Sequence, residues 1–161
     1  MKPLYILGMF IFAVSMLNLI RICVFSILSD WYDIKRHNAG KKTSKYRAFV
    51  SVIVPAHNER AVLERCLMSI YASSYKNFEV IVVDDGSRDN TAQFAHYLRV
   101  KHNLKNFHVI RREQNAGKAS AINYGILKHA KGSIVVAMDA DCTINTDALG
   151  RGIKYFSDRS V

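Results

Sequence analysis

The stretch FVSVIVPAHNERAVLERCLMSIYASSYKNFEVIVVDD, residues 49–85, decides the fold of this chain. It begins with a short β-branched run at Phe49–Val54, ended by Pro55, and closes with a second such run at Phe78–Val83. Between them, apolar side chains recur at helical spacing over Arg60–Ala72. Strand-length runs that alternate with helical periodicity indicate βα units and a largely parallel sheet.

The same alternation continues towards the C-terminus, so the predicted fold class is α/β with a Rossmann-like, mostly parallel sheet. A helix predicted to begin at Lys118 is expected to end by Gly132, a residue suited to a left-handed C-cap. Its core-facing residues are expected to be Ala119, Ile122 and Ile126. Further strands are predicted at Phe107–Ile110 and Ile134–Met138, and further helices through Phe94, Ala95 and Leu98 and from Asp147 towards Phe156.

The N-terminal part of the chain is apolar over Leu4–Leu28. At about 1.5 Å per residue, a helix of this length crosses a hydrocarbon core of roughly 30 Å. One transmembrane helix is therefore predicted ahead of the sheet, with residues 1–30 as the anchor. A cleaved signal peptide is the alternative, and it is disfavoured because only Lys2 precedes the long apolar run and no clean small-x-small cleavage pattern follows.

A basic segment follows the predicted span, and residues 31–48 are interpreted as a juxtamembrane linker. Because positive residues favour the cytosolic side, the chain is predicted to be single-pass in the cell membrane, with its N-terminus out and its soluble part cytosolic. The segment carries much of the formal charge of +10, so a lipid surface is the expected partner and nucleic acid is not. Its basic residues are Lys35, Arg36, Lys41, Lys42, Lys45 and Arg47.

Four polar clusters follow the four predicted strands. Each alone is compatible with a turn or a helix cap. The carboxyl ends of parallel strands meet at one edge of a sheet, however, so the four clusters together predict a ligand-binding crevice. The clusters are Pro55-Ala56-His57-Asn58-Glu59, Asp84-Asp85-Gly86-Ser87, Gln114-Asn115-Ala116-Gly117-Lys118 and Asp139-Ala140-Asp141.

The acidic groups of these clusters repel one another, and a bound cation would remove that cost. Carboxylates on the short Asp139–Asp141 loop are hard ligands, suited to Mg²⁺ or Mn²⁺ bridging to a diphosphate. Lys118 either adds a positive contact to the same phosphates or is a solvated lysine at a helix start. Zinc is not expected, because Cys23, Cys66 and Cys142 lack paired spacing and are predicted to be reduced and structural.

The motifs V-I-V-P-A-H-N-E, V-V-D-D-G-S, N-A-G-K-A-S-A-I-N and M-D-A-D, in this order, resemble inverting family-2 glycosyltransferases with the GT-A fold. The resemblance covers Phe49 to the C-terminus. The third motif is most similar to membrane-bound polysaccharide synthases that make chitin-, hyaluronan- or poly-N-acetylglucosamine-like chains. It implies transfer of a sugar, with N-acetylglucosamine as the suggested one, from a UDP-sugar donor to a growing glycan or a lipid-linked acceptor.

The resemblance also implies roles for individual residues. Asp85, with Asp84 beside it, would bind the uracil and ribose side of the nucleotide. Asp139 would lie at the ribose and diphosphate, and Asp141 would ligate the metal together with Asp139. The loop that would frame the nucleoside consists of Pro55, Ala56, His57, Asn58 and Glu59.

Inversion needs a general base that deprotonates the acceptor hydroxyl. The resemblance places this base in a later acidic motif, expected beyond Val161, so no catalytic residue is assigned, and Asp147 and Asp158 are wrongly placed for the role. Residues 49–161 are accordingly expected to be the donor-binding part of a truncated domain. The alternative is a membrane-tethered nucleotide-sugar-binding fragment without turnover. Nucleotidyltransferases and dinucleotide-binding oxidoreductases are disfavoured, because no glycine-rich loop follows the first strand.

Overall fold

The computed structural model describes the backbone of residues 2–40 and 47–156, and the side chains of residues 5–32 and 47–156. The chain divides into two compact units between Ser44 and Lys45. The described part of the first unit is one helix, α1 (Lys2–Gly40). Its segment Tyr5–Tyr32 is long and apolar enough to cross a membrane, as predicted for Leu4–Leu28. Since α1 continues to Gly40, it includes the first part of the predicted linker, and residues 41–46 of that linker lie outside the described residues.

The described residues of the second unit confirm the predicted α/β fold. Four parallel strands form one sheet in the order β3-β2-β1-β4. The strands are β1 (Val50–Ala56), β2 (Phe78–Asp85), β3 (Phe107–Arg112) and β4 (Ile134–Ala137). The helices between and after them are α2 (Arg60–Tyr71), α3 (Thr91–Lys101), α4 (Lys118–His129) and α5 (Ala148–Tyr155).

The two central strands, β1 and β2, are buried along their whole length. Successive side chains of a strand point to opposite faces, and each face has its own apolar cluster. Val52 and Val80 pack in the larger cluster, which includes residues of α2, α3 and α5. Ile53 and Ile81 pack in the smaller one, with Ala121 of α4. Helices therefore cover both faces, which explains why these strands are continuous hydrophobic runs.

The prediction that Pro55 ends the first strand is wrong, because Pro55 lies within β1 and pairs with Val83. Met138 N–H donates to Ile53 O, so the polar backbone groups of the odd-numbered residues of β1 face β4. The pairing of β1 with β4 ends at Ala137. The missing N–H of Pro55 therefore removes no ladder hydrogen bond, and the strand continues.

Strands β2 and β3 also continue beyond their predicted ends, to Asp85 and Arg112. Their parallel register pairs Asp84 with Arg111 and Asp85 with Arg112. Opposite charges on neighbouring strands stabilise such pairing. Both aspartates therefore belong to the end of a buried strand and not to a loop.

Helix α4 faces the sheet partly through other residues than predicted, although Ile126 packs against the smaller apolar cluster as predicted. Ala119 is exposed, Ile122 is half-buried, and Ala121 and Gly125 are the buried positions. A Cβ added at Gly125 would lie 3.0 Å from side-chain atoms of the sheet. The small residues at positions four apart let α4 approach the sheet closely, so the larger side chains move to the flanks of the contact.

The prediction that Gly132 is a left-handed C-cap is also wrong. The helix ends at His129 with Ala130 as its cap, and Gly132 does not have a positive φ. Glycine is required there by close packing, because an added Cβ would lie 2.4 Å from the backbone nitrogen of Ser51. Gly132 N–H donates to Ser51 Oγ at 2.8 Å, and Ser51 donates to the buried Glu79 carboxylate at 2.6 Å. These contacts attach the α4–β4 connection to the sheet.

Candidate functional site

The four polar clusters predicted from the sequence lie at or directly after the carboxyl ends of β1, β2, β3 and β4. Because the strands are parallel, these ends lie at one edge of the sheet, as predicted. Hydrogen bonds and ion pairs connect the clusters to one another.

The loop after β1 is attached to the loop after β2. His57 Nδ1 lies 2.8 Å from Asp85 O, and because a carbonyl only accepts, Nδ1 carries the proton. Asn58, which has a φ of 59°, donates its N–H to Ser87 Oγ at 2.9 Å and accepts from Arg88 N–H at 2.8 Å. The side chains of His57 and Asn58 remain exposed at the edge. Pro55 and Ala56 are buried in β1 and contribute the position of the loop rather than accessible side chains.

The half-buried Glu59 occupies the N-cap position of α2. Its N–H donates to Thr91 Oγ1 at 3.1 Å, and the next N–H, of Arg60, donates to Asp89 Oδ2 at 3.1 Å. Burial acts to raise the pKa of Asp89, but hydrogen bonds from Thr91 and from the Arg60 amide outweigh it, so the pKa lies below its usual value. The start of α2 is thus held by the segment that leads into α3.

Asp84 is buried, with 1% of its surface exposed. Its carboxylate accepts the Ser87 N–H at 3.0 Å and lies 3.9 Å from Arg111 Nε. The following Gly86 has a φ of 71°, which favours glycine. Asp84 therefore stabilises the turn after β2, and its place beside the nucleotide stays a prediction.

Asp85 is also buried, with 3% exposed, but its carboxylate is the anchor of another loop. It accepts the N–H groups of Ala116 at 3.1 Å and Gly117 at 2.8 Å, and Arg112 Nη1 lies 3.1 Å away. A carboxylate has about four acceptor positions, so these three donors leave about one position free. Asp85 therefore combines an anchoring role with a remaining capacity to accept one hydrogen bond.

Arg112 is a residue of this edge that was not predicted from the sequence. It pairs with Asp85, donates to Ser120 Oγ at 3.1 Å, and lies 5.5 Å from the centre of the Tyr124 ring. The sequence feature that could have indicated it is the pair Arg111-Arg112, which follows the predicted end of the third strand at Ile110. Extending that strand by two residues places Arg112 beside Asp85.

Lys118 is the first residue of α4, and its Nζ lies 2.6 Å from Asp139 Oδ1. The side chains are 61% and 46% exposed, so the pair is accessible to solvent. The hydrogen bond to Asp139 raises the pKa of Lys118. Lys118 is therefore a solvent-accessible helix-start lysine that pairs with Asp139, and its contact with phosphates stays a prediction.

Helix α2 holds the backbone of the Asp139–Asp141 loop, which the sequence did not indicate. Cys66 Sγ donates to Asp139 O at 3.6 Å, and Arg65 Nη2 donates to Asp141 O at 3.1 Å. Burial raises the pKa of the Cys66 thiol to about 12, so the thiol stays protonated and able to donate. These contacts join residues more than 70 positions apart in the chain, and no local pattern marks them.

The Asp139–Asp141 loop fits a hard divalent cation. Asp139, Asp141 and Cys142 each place one ligand atom, a carboxylate oxygen or the thiol sulfur, within 4.8 Å of the other two. Two carboxylates in this arrangement suit Mg²⁺ or Mn²⁺. A hydrogen bond to Asp141 raises the pKa of the Cys142 thiol, so this soft ligand is held in its protonated form. The ammonium of Lys118, 2.6 Å from Asp139 Oδ1, is a positive charge that already pairs with this loop.

The family model described as Glycosyl transferase family 2 matches residues 51–161. Among curated proteins, the poly-beta-1,6-N-acetyl-D-glucosamine synthase of Staphylococcus epidermidis is 35% identical over 99 residues, which are 62% of this chain and 23% of that protein. The chain spans at most 37% of the length of the first curated relatives that it matches.

Two solved structures share the architecture of the second unit. The mannosyltransferase PcManGT from Pyrobaculum calidifontis, in complex with GDP-Man and Mn²⁺, is 35% identical with a TM-score of 0.70, over 73% of this chain and 35% of that one. TarS 1-349 from S. aureus, in complex with UDP-GlcNAc, is 32% identical with a TM-score of 0.58, over 67% of this chain and 31% of that one.

Proposed function

Because this chain belongs to glycosyl transferase family 2, we propose that it binds a UDP-sugar, with N-acetylglucosamine as the sugar, for inverting transfer to a glycan or a lipid-linked acceptor. One observation carries the proposal: the connected edge that brings Asp85, Lys118, Asp139 and Asp141 into one set of contacts. The named relatives support the choice of donor, since one is a poly-N-acetylglucosamine synthase and another is solved with UDP-GlcNAc. GDP-mannose is the competing donor, because PcManGT is solved with it.

The residues of the edge have separate roles in this proposal. The free acceptor position of Asp85 takes an N–H or O–H of the nucleoside, and the exposed His57 and Asn58 frame it. Asp139 and Asp141 hold Mg²⁺ or Mn²⁺, and Lys118 lies beside them. When bound, the cation supplies positive charge that stabilises a departing diphosphate.

The acceptor hydroxyl must lose its proton to a general base. We assign this role to none of the described carboxylates. Asp147, at the start of α5, lies 3.4 Å from Arg151, and it has no link to the connected edge among the described contacts. Donor binding, rather than sugar transfer, is therefore the step in which the described residues can be tested directly.

Replacing Asp141 by alanine is expected to weaken Mn²⁺-dependent UDP binding at least about tenfold, because one of the two carboxylates is removed. The measurement is calorimetry of the full chain in detergent, with UDP or GDP and with or without Mn²⁺. Asp147→Ala is the matched control, since Asp147 is also an exposed aspartate and contacts Arg151. UDP binding that ignores Mn²⁺ and survives Asp141→Ala would contradict the proposal, and a preference for GDP would favour the competing donor.

We also propose that α1 anchors the chain in the cell membrane with its N-terminus outside and the second unit in the cytosol. The length and apolar composition of Tyr5–Tyr32 support the anchor. The excess of basic residues after this segment over Lys2 before it supports the orientation.

Cys142 provides a test of the orientation, because it is exposed whereas Cys66 is buried. At mildly alkaline pH, chosen because the raised pKa of Cys142 lowers its reactive thiolate fraction, a membrane-impermeant maleimide is expected to label Cys142 in inside-out membrane vesicles and not in right-side-out vesicles. The Cys142→Ala variant identifies any labelling of the other thiols, including Cys23 in α1. Labelling of Cys142 in right-side-out vesicles would reverse the proposed orientation, and recovery of the chain in the soluble fraction would contradict the anchor.

A further inference from the structure

The contact between Lys118 and Asp139 involves a carboxylate that the proposed function assigns to a metal. Lys118 Nζ lies 2.6 Å from Asp139 Oδ1, which is the distance of a direct, charge-assisted hydrogen bond. A divalent cation on the same carboxylate would lie beside this ammonium, and the repulsion between the two positive charges disfavours having both on Asp139 at once. Lys118 and a metal ion are therefore competitors for Asp139.

The backbone around Lys118 is held in place while its side chain has room to move. The N–H groups of Ala116 and Gly117 are bound by the buried carboxylate of Asp85, so the chain that leads into α4 is anchored. The side chain of Lys118 is 61% exposed. Lysine has a flexible four-carbon stem and three rotatable donors, so it can exchange one anionic partner for another without a change in the fold.

A second partner lies within the same proposed site. A nucleoside diphosphate bound between Asp85 and the Asp139–Asp141 loop would place its phosphates at the start of α4, where the helix dipole also favours negative charge. An ammonium released from Asp139 would then have a new anion beside it.

We propose that Lys118 occupies Asp139 as a substitute cation in the metal-free site and transfers to the diphosphate of the donor when a divalent cation takes Asp139. This inference rests on the proposed function, since it requires both the metal and the nucleotide at this edge. It assigns Lys118 opposite effects on the two ligands: it competes with the metal, and it assists the nucleotide.

The Lys118→Met variant, which keeps the apolar stem and removes the charge, tests this assignment. Without nucleotide, Mn²⁺ affinity is expected to rise about threefold, because the competing cation of an exposed pair is gone. At saturating Mn²⁺, UDP affinity is expected to fall about fivefold or more, because a charge-assisted contact is lost. A purely structural role for Lys118 would weaken both.

The measurements are the free Mn²⁺ signal in electron paramagnetic resonance and calorimetry with UDP, on the full chain in detergent. Lys128→Met is the matched control, since Lys128 is an exposed lysine on the same helix and gives the same change in net charge. Lys118→Arg, which retains the charge, is expected to leave Mn²⁺ affinity near the wild-type value. It also serves as the test variant if Lys118→Met does not fold, and a rise of threefold or more in its Mn²⁺ affinity would overturn the inference.

The outcomes separate the inference from the proposed function. If the wild-type chain binds Mn²⁺ and UDP but Lys118→Met leaves Mn²⁺ affinity unchanged or lowers it, the inference is overturned and the proposed function stands. Unchanged UDP affinity in that variant overturns the transfer to the diphosphate. A wild-type chain that binds neither Mn²⁺ nor UDP overturns both proposals.

Discussion

Replacing Gly132 by alanine is expected to destabilise the second unit by at least about 3 kcal/mol. The added Cβ would lie 2.4 Å from Ser51 N and 2.8 Å from Phe49 O. Both are backbone atoms at the start of a central strand that pairs on both sides, so neither moves without breaking the sheet. The Gly132 N–H bond to Ser51 Oγ, which continues to the buried Glu79, would be lost with the same displacement.

Urea denaturation followed by circular dichroism measures this effect. Gly152→Ala is the matched control, because Gly152 lies in α5 and an added Cβ there would meet no heavy atom within 4 Å. Alanine is the better helix former, so the control is expected to be neutral or to stabilise by up to about 1 kcal/mol. Substitutions at exposed positions change the unfolding free energy only slightly. If Gly132→Ala unfolds within about 1 kcal/mol of wild type, the close-packing explanation is therefore wrong.

Replacing Asp85 by asparagine is expected to lower the unfolding free energy by about 2–3 kcal/mol, and the same substitution at Asp84 by about 1 kcal/mol or less. The Asp85 carboxylate accepts from three donors. An asparagine side chain has one acceptor oxygen, and its NH₂ group would point a donor at these donors. It also leaves Arg112, 19% exposed, without its countercharge. Asp84 accepts one N–H, from Ser87, and an asparagine oxygen can still accept it.

The two variants form a matched pair, since both aspartates are buried and adjacent in β2. Unfolding by urea gives the stability of each, and calorimetry gives UDP affinity at saturating Mn²⁺. Asp85→Asn is expected to weaken UDP binding at least about tenfold, because the loop leading to Lys118 loses its anchor. A double-mutant cycle with Arg112→Met measures the coupling of the pair. Equal effects at Asp84 and Asp85 would show that the anchoring role is wrong.

The strands and helices were predictable because their signals are local. Apolar residues recur every two positions in a strand and every 3.6 positions in a helix, so the pattern depends only on residues a few positions apart. Residues 49–85 therefore predict β1, α2 and β2. The ends of elements were less predictable. In the sequence, Pro55 predicts the end of a strand. Only the structure shows that β4 is shorter than β1, so that the missing N–H of Pro55 removes no hydrogen bond of the sheet.

The clustering of polar residues at one edge was also predictable, since it follows from parallel strands alone. The function of each residue within the edge was not. Asp84 and Asp85 are chemically identical neighbours, yet alternation along β2 gives their carboxylates different partners. Asp84 accepts an N–H of the turn after β2 and lies 3.9 Å from Arg111, whereas Asp85 accepts two N–H groups of the loop before α4 and lies 3.1 Å from Arg112.

The sequence by itself determined the class of fold, the apolar N-terminal helix and the edge of the sheet at which the polar clusters gather. Only the tertiary structure decided that Lys118 contacts Asp139, that Arg112 neutralises Asp85 and that Gly132 packs on Ser51. The physical reason is distance along the chain. Periodicity and turn chemistry act over a few residues, whereas each of these contacts joins elements whose relative placement depends on the order and register of the whole sheet.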